Sequence, residues 1–394
     1  MRMNKALRLI ISVVIFITII PTSISCAGAG SSGVFEQILS VIPDTDSNRF
    51  SVVINDYVQM RKQFQTDALY TDATDDEQIA YIQNLITMGR NGDMTGKLLA
   101  PGAQIGFISG YAYLQLGIGL LRNLGLGYWM IDQEAQAGWP PINFSIVKGT
   151  FDPEKTRQAL AVSAKNDPPT IETYLENEIY SWGKEDYALD LTKVLAPPVY
   201  DNLGRGGRFV FQDNYAFRAN GMPEIKLVLD AQNGRQTSLA DNKDYKLLAQ
   251  ELSSQNAMCA MLSTNTQTIS SVKDSLYSYW SGKPEDLDKY LAQGPKLLPY
   301  QTMALGLSKD EKGLYAIIVL VHADNETAAK NESLLKQRIE ETNSILYSKK
   351  WTTFFSSSSI TSRGRVLMAK LYGDNVCRMW IQWYYQNDPL ILHE

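Results

Sequence analysis

The sequence predicts an α+β fold in which antiparallel sheets carry helices packed on one face. Three patterns indicate this class: short alternating or continuously apolar runs, segments with apolar residues every three or four positions, and polar turns that join neighbouring strands into hairpins. The chain has 394 residues, of which 44% are hydrophobic. It can therefore bury a large core, and one or two domains are expected.

The first 25 residues have the three parts of a secretory signal. Arg2, Lys5 and Arg8 give a positive start, an apolar segment runs from Leu9 to Ile20, and small polar residues follow. The apolar segment is shorter than the roughly 20 residues that a membrane-spanning helix needs. We expect residues 1–25 to be a signal peptide that is removed on export.

A single cysteine, Cys26, follows this segment, with Ser25 before it and Ala27 after it. The arrangement resembles the lipobox of bacterial lipoproteins, although Ser23 stands where that motif usually has leucine. The resemblance covers the export segment alone. It implies a diacylglycerol on the Cys26 thiol and an anchor on the extracytoplasmic face of the cell membrane. Cleavage after Ala27 or Ala29 would instead give a secreted protein.

Residues 26–33 combine this cysteine with a Gly-, Ala- and Ser-rich stretch whose composition is typical of a flexible tether. Loss of residues 1–25 leaves 34 basic and 42 acidic residues, a formal charge of −8. Such an acidic chain does not suit a nucleic-acid backbone, which needs clustered Lys and Arg. The expected partners are the membrane, through the lipid anchor, and an unknown ligand or envelope protein, and not nucleic acid.

Residues 34–281 are expected to form an N-terminal α+β lobe. Asp152 and Pro153 supply an N-cap and a proline at the first helical position, and Asn233-Gly234 indicates a turn. The pattern predicts strands at 49–54, 142–148, 206–218, 224–230 and 257–263, and helices at 56–65, 74–86, 152–164, 238–252 and 272–279.

Residues 282–394 are expected to form a C-terminal lobe with the order ββαββ. The boundary is placed at Gly282-Lys283-Pro284 because glycine and proline interrupt regular structure. The pattern predicts strands at 301–307, 314–322, 366–372 and 376–385, and a helix at 327–346. The two lobes have similar ingredients, so a related architecture is possible.

The last predicted strand carries the candidate binding residues. Cys377, Met379 and Trp383 alternate with Arg378, Trp380 and Tyr384, which would lie on opposite faces of a strand. We expect the Trp383 face to pack on the core. Trp380 and Tyr384 are candidates for lining a groove for an apolar or glycan ligand. Burial of both faces is the alternative that needs no ligand.

Apart from Cys26, the chain has only Cys259 and Cys377. Both stand in apolar, strand-like runs, where a free cysteine behaves as a small buried hydrophobe. We expect two buried free thiols, with a disulfide as the alternative in an exported protein.

The sequence contains no complete catalytic or cofactor motif. Its two histidines, His322 and His393, have no motif around them, so we name no catalytic residue, and no His/Cys zinc set can form. The glycines from Gly102 to Gly127 do not match a nucleotide-binding fingerprint, and no cofactor is expected. Acidic clusters stand where helices begin, which is typical of helix caps.

These observations favour a membrane-anchored extracytoplasmic lipoprotein that binds a ligand or envelope partner without catalysis. A structural or assembly factor of the cell envelope is the first alternative, with a sheet edge or the glycine-rich stretch as its interface. A hydrolase that works through two carboxylates is the second alternative, because carboxylates are plentiful.

Overall fold

The structure is a computed structural model that describes residues 33–64, 74, 76–77, 130–163, 167–194, 199–201, 203–212, 214–276, 284–374, 376–377, 379–380, 383 and 388–394. Residues Gly33–Glu394 form one compact unit. The predicted signal peptide, Cys26, Tyr384 and the glycine-rich stretch lie outside the described residues, as does most of the helix predicted at 74–86.

Twelve strands form one sheet, in which every pairing is antiparallel. Their bounds are β1 Val52–Asp56, β2 Ile131–Trp139, β3 Ile142–Gly149, β4 Thr170–Tyr174, β5 Asn177–Ser181, β6 Arg208–Gln212, β7 Tyr215–Ala219, β8 Cys259–Ser263, β9 Thr302–Asp310, β10 Gly313–Val321, β13 Ser357–Arg363 and β14 Val366–Tyr372. The order across the sheet is β13-β14-β10-β9-β8-β1-β2-β3-β7-β6-β5-β4. A separate two-stranded ribbon pairs β11 (Asn343–Ser344) with β12 (Lys349–Lys350).

The described helices are α1 Val34–Leu39, α2 Asp46–Phe50, α3 Tyr57–Phe64, α4 Pro153–Ser163, α5 Met222–Gln232, α6 Lys243–Ser254, α7 Ile269–Leu276, α8 Pro284–Ala292 and α9 Asn325–Glu341. Two 3-10 turns cover Leu191–Lys193 and Trp351–Thr353. Within the described part of the chain, no helix is both long enough and apolar enough to cross a membrane.

Both faces of the sheet are buried, which explains the apolar character of its central strands. In β10, Ile318 and Leu320 belong to a core that also contains Leu335 of α9. Ile317 and Val319 point to the other face, into a core shared with α1, α5 and α6. The α+β class and the antiparallel sheet are thus confirmed, and the structure adds a helical layer on the second face.

The predicted boundary at residue 282 falls between two strands that pair directly. β8 comes before this position and β9 after it, and Cys259 to Ser263 pair with Leu307 to Met303. Each predicted lobe therefore contributes strands to the same sheet.

The strand predicted at 224–230 is wrong, because these residues belong to α5. Gly221 stands at the N-cap and Pro223 lies in the first turn, where its missing N–H costs no hydrogen bond. Ile225, Val228 and Leu229 are buried at helical spacing. The apolar composition was correctly identified, but its period was assigned to the wrong element.

The strand predicted at 376–385 is also wrong, because residues 376, 377, 379, 380 and 383 are α-helical. Each of these five side chains is buried. A short, mostly apolar segment has no clear periodicity that separates a buried strand from a buried helix. The pairing of β14 with β10 and β13 leaves no place beside β14 for a further strand.

The remaining predictions overlap the elements that form, including β3, β8, β9, β10, β14 and helices α4, α6 and α9. The helix predicted at 327–346 runs past Glu341, where α9 ends, and into β11. The range 206–218 contains the hairpin β6–β7. Strands β2, β4, β5, β11, β12 and β13 were missed. β4 and β13 are edge strands with mostly exposed residues, so they lack the apolar alternation by which a strand is recognised in sequence.

Cys259 and Cys377 are both buried and free, as predicted. Burial raises the pKa of the Cys377 thiol to about 11 and raises that of Cys259 as well, so neither thiol readily forms the reactive thiolate. We predict that an alkylating reagent leaves both cysteines unmodified in the native protein. It should label both after denaturation without reductant, as mass spectrometry of digested protein would measure. A peptide linked through Cys259 and Cys377 in a non-reducing digest would contradict this prediction.

Candidate functional site

Trp380, the candidate binding residue that the structure describes, is fully buried. It lies in the same core as Trp351 and Trp383. The ring centroids of Trp351 and Trp383 are 6.2 Å apart, and Phe355 lies 5.9 Å from Trp383. Trp380 therefore has no exposed ring face in this structure. A binding role for Trp380 and Tyr384 stays a prediction.

His322 is buried and takes part in a structural hydrogen-bond network. Its Nδ1 lies 3.1 Å from the carbonyl oxygen of Arg365, and its Nε2 lies 2.8 Å from Nδ2 of Asn331. A carbonyl only accepts, so Nδ1 carries the proton and Nε2 accepts from Asn331. Burial lowers the pKa of His322. The neutral ring fixes the end of β10 to α9, and both of its nitrogens are already engaged.

His393 and Tyr300 hold the C-terminal segment against the body of the protein. Nε2 of His393 lies 2.9 Å from the Thr266 hydroxyl. The Tyr300 hydroxyl donates to the carbonyl of Ile391 at 3.0 Å and accepts the backbone N–H of Gln267 at 3.1 Å. Burial lowers the pKa of His393. These contacts assign His393 a structural position.

Arg338 fastens the same segment through backbone carbonyls. Its guanidinium donates to Leu390 at 2.8 Å and to Pro295 and Pro389 at 2.5 Å each. Nearby, Asp388 accepts from the Ser344 hydroxyl at 2.5 Å and from the backbone N–H of Ile345 at 3.0 Å. Burial raises the pKa of Asp388 to about 7.

A pair of neighbouring carboxylates lies where β1 ends and β2 begins. Burial raises the pKa of Asp56 to about 6, and Asp132 is close enough to contribute to this rise. However, Asp56 accepts the backbone N–H of Gln59 at 3.0 Å, and Asp132 forms an ion pair with Arg61 at 2.8 Å. Both carboxylates thus have structural partners, and the Asp56 contact caps the first turn of α3.

Among the described residues, the most exposed aromatic side chain lies at the turn between β2 and β3. Trp139 pairs with Ile142 across a two-residue turn of Pro140 and Pro141, and Trp139 is 63% and Ile142 50% exposed. Both prolines are also exposed. The ring of Phe50, at the end of α2, packs edge-on against Trp139 with centroids 5.6 Å apart. The five residues form an exposed apolar cluster, which we call the apolar tip.

Gly138 makes this turn possible. Its φ of +88° lies in the left-handed region, and a Cβ atom there would overlap the carbonyl oxygen of Ile142. The backbone N–H of Gly138 also donates to Ser51 at 3.0 Å. The tip is therefore built by backbone contacts and not by burial of its own side chains.

A second group of exposed apolar side chains lies in the loop between β5 and β6. Leu189, Leu191 and Leu203 are 62%, 71% and 41% exposed. Gly204 lies against the backbone of Asp190, so the three leucines come from two adjacent parts of one loop. We call them the leucine group. Sequence reasoning missed both groups, since exposure depends on the tertiary fold.

A polar depression of about 610 Å³ lies at the start of α6, lined by Asn242, Lys243, Asp244, Ala323 and Arg365. Arg365 pairs with Asp244 at 2.8 Å, and the Asn242 side chain caps α6 by accepting backbone N–H groups. Asn242, Asp244 and Arg365, which line the depression, therefore already serve the fold. Among the described residues, no three His, Cys, Asp or Glu side chains come together in a way that could hold a metal ion.

No protein-family model matches the sequence, and no curated protein matches it. Among solved structures, crystal form III of TP0453 is similar over 87% of this chain and 96% of that chain, with 9% identity and a TM-score of 0.38. Crystal form I of TP0453 is similar over 88% and 97%, with 8% identity and a TM-score of 0.36. TM-scores this low assign neither a fold nor a function to the present chain.

The burial of Trp380 generates a prediction about stability. Trp380→Ala and Trp383→Ala should each lower the free energy of unfolding by about 3–5 kcal/mol, because each leaves a large cavity in the core. Trp139→Ala, at an exposed position, should cost about 1 kcal/mol or less. Urea unfolding followed by circular dichroism measures all three. A Trp380→Ala protein as stable as Trp139→Ala would show that the Trp380 ring is outside the core.

Asp388 generates a prediction about pH. Its folded pKa of about 7 lies above its unfolded pKa. At pH values between these two pKa values, the folded state therefore binds more protons than the unfolded state. Its contribution to stability is therefore present near pH 4 and lost as the pH rises to 7. Asp388→Asn keeps an acceptor for Ile345 and removes the titration.

As the pH rises from 4 to 8, the free energy of unfolding of the variant should increase by about 2–4 kcal/mol relative to that of the wild type. The measurement is urea unfolding across that range. His322 and His393 titrate in both proteins, so their opposite effect below pH 6.5 cancels in the difference. Parallel stability profiles for the two proteins would contradict the assignment.

Proposed function

We propose that the protein is exported, is anchored by a lipid on Cys26, and binds a ligand or envelope partner on the extracytoplasmic side without catalysis. The arrangement that carries this proposal is the positively charged start, the apolar segment Leu9–Ile20 and Cys26 directly after it. The compact unit begins at Gly33, at the end of the Gly-rich stretch. This order of signal, attachment residue, tether and folded body suits an anchored protein.

Four titratable side chains in the described part of the chain serve the fold. His322, His393, Asp388 and Asp56 each hold a structural hydrogen bond, and three of them join elements that are distant in sequence. An assembly factor of the envelope is the second candidate, and the exposed apolar tip favours it. The carboxylate hydrolase has weaker support, because Asp132 is engaged by Arg61.

Replacing the predicted attachment residue tests the anchor. Cys26→Ala should move the protein from the membrane fraction to the soluble exported fraction, because a thioether-linked lipid needs the thiol. Cys377→Ala is the matched control, since this thiol is buried in the folded body, and it should leave the protein with the membrane. Fractionation followed by immunoblotting measures the distribution.

Mass spectrometry of the wild-type N-terminus completes the test. A mature chain that begins at Cys26 with the added mass of a diacylglycerol supports the proposal. An unmodified N-terminus at Gly28 or Gly30 would contradict lipidation and would indicate a secreted protein.

A further inference from the structure

The apolar tip and the leucine group lie at the same end of the sheet. Phe144 of β3 pairs with Ala219 of β7, Ala219 with Arg208 of β6, and Arg208 with Ser181 of β5. The tip precedes Phe144, and the leucine loop connects Ser181 to Arg208. Both groups therefore project beyond the same row of paired residues. We call this end of the sheet, with the apolar tip and the leucine group, the apolar end.

The two groups are separated by only a few strands. Three strand spacings separate β3 from β5, which amounts to about 14 Å. The leucine loop also folds back toward β3, because the backbone N–H of Tyr187 donates to Asn220, just after β7, at 3.2 Å. Exposed apolar groups at this spacing present a broad surface, whereas a single pocket in a partner would accept only one of them.

Several charged side chains near the apolar end are paired with each other. Arg49, beside the tip, binds Asp44 at 2.5 Å. In the leucine loop, Arg205 binds Asp201 at 2.6 Å and Lys193 binds Asp167 at 2.8 Å. The four residues from Trp139 to Ile142 carry no charge. Lys184, Glu185 and Asp190 of the same loop are exposed, so charges of both signs lie beside the leucines. The surface therefore has no cationic footprint for anionic groups.

The chain enters the folded unit at the opposite end of the sheet. Gly33 lies against Ser253, at the end of α6, and Gln37 of α1 accepts a hydrogen bond from Lys148 at 3.1 Å. Lys148 is near the end of β3, whereas Ile142 begins it. Six residues of strand separate them by about 20 Å. Gly33 is therefore not part of the apolar end.

We propose that the apolar end inserts into the interface of a phospholipid bilayer, with Trp139 as the main inserted side chain. Tryptophan favours the boundary between headgroups and acyl chains, where its ring is solvated by both. Pro140, Pro141, Ile142 and Phe50 add apolar area beside it, and the leucine group supplies a second point of contact. Because the apolar end has no cluster of basic residues, zwitterionic lipid suffices.

The test uses the full chain carrying Cys26→Ala, so that no lipid holds it to a membrane. Mass spectrometry first confirms that residues 1–25 are absent. The protein is mixed with phosphatidylcholine vesicles and floated on a density gradient at low and at high salt. We expect it to float with the vesicles to a similar extent in both, because salt screens ionic contacts and leaves apolar ones intact.

Three further substitutions in this chain locate the contact. Trp139→Ser should lower the vesicle partition coefficient about tenfold or more, since it removes the largest inserted apolar area. Leu191→Ser should lower it by a smaller factor. Val58→Ser is the matched control, because Val58 is 45% exposed and follows the end of β1 that is opposite to the tip. Thermal melting verifies folding, and Ile142→Ser replaces Trp139→Ser if the latter is unstable.

Failure of the Cys26→Ala chain to float would overturn the proposal, as would equal effects of Trp139→Ser and Val58→Ser. Sedimentation of the protein without vesicles tests whether a second copy of this chain binds at the apolar end instead. An oligomer that Trp139→Ser dissociates, together with no vesicle binding, would make the apolar end a contact between copies of this chain. If Cys26 of the wild-type protein carries no lipid, the proposed anchor is wrong, but the result of the vesicle test is unaffected.

Discussion

The pairing of β8 with β9 is the interaction on which the rest of the fold depends. It joins strands β1 to β8 to strands β9, β10, β13 and β14 in one sheet. Both strands are fully buried along the paired length, so each face needs its own layer of helices to exclude water from the backbone and the apolar side chains. Helices α1, α5 and α6 on one face and α9 on the other meet this need.

The elements that could be predicted are those in which local pattern and final environment agree. Val366 to Tyr372 is strand-like in sequence and is a strand with buried residues. The helix predicted at 327–346 overlaps α9, which begins at Asn325 after the N-cap Asp324 and ends at Glu341. The join between β8 and β9 could not be predicted, since register across some 40 residues depends on which strands meet in three dimensions. The exposed edge strand β13 gave no signal, because serine and threonine fill it.

The aromatic residues show the same limit at the candidate site. Trp380 and Trp139 are both beside apolar residues in the sequence, yet one is fully buried and the other 63% exposed. Exposure of Trp139 results from its place in a turn between two strands, and β2 was not recognised in the sequence. The only local signal was Trp139-Pro140-Pro141, in which two prolines exclude a helix. A surface made of separate loops is visible only once the sheet register is known.

The C-terminal segment places a condition on when the protein can finish folding. Residues 390–393 lie between Gln267 and Leu297, with backbone hydrogen bonds from His393 to Gln267 and from Leu297 to Leu392, each 3.0 Å. Arg338 is buried with its donors directed at this segment. The contacts of Arg338 with Leu390 and Pro389 join residues about 50 positions apart in sequence. Without this segment the buried guanidinium would lose acceptors that water does not replace, so the core around Arg338 closes only together with residues 390–393.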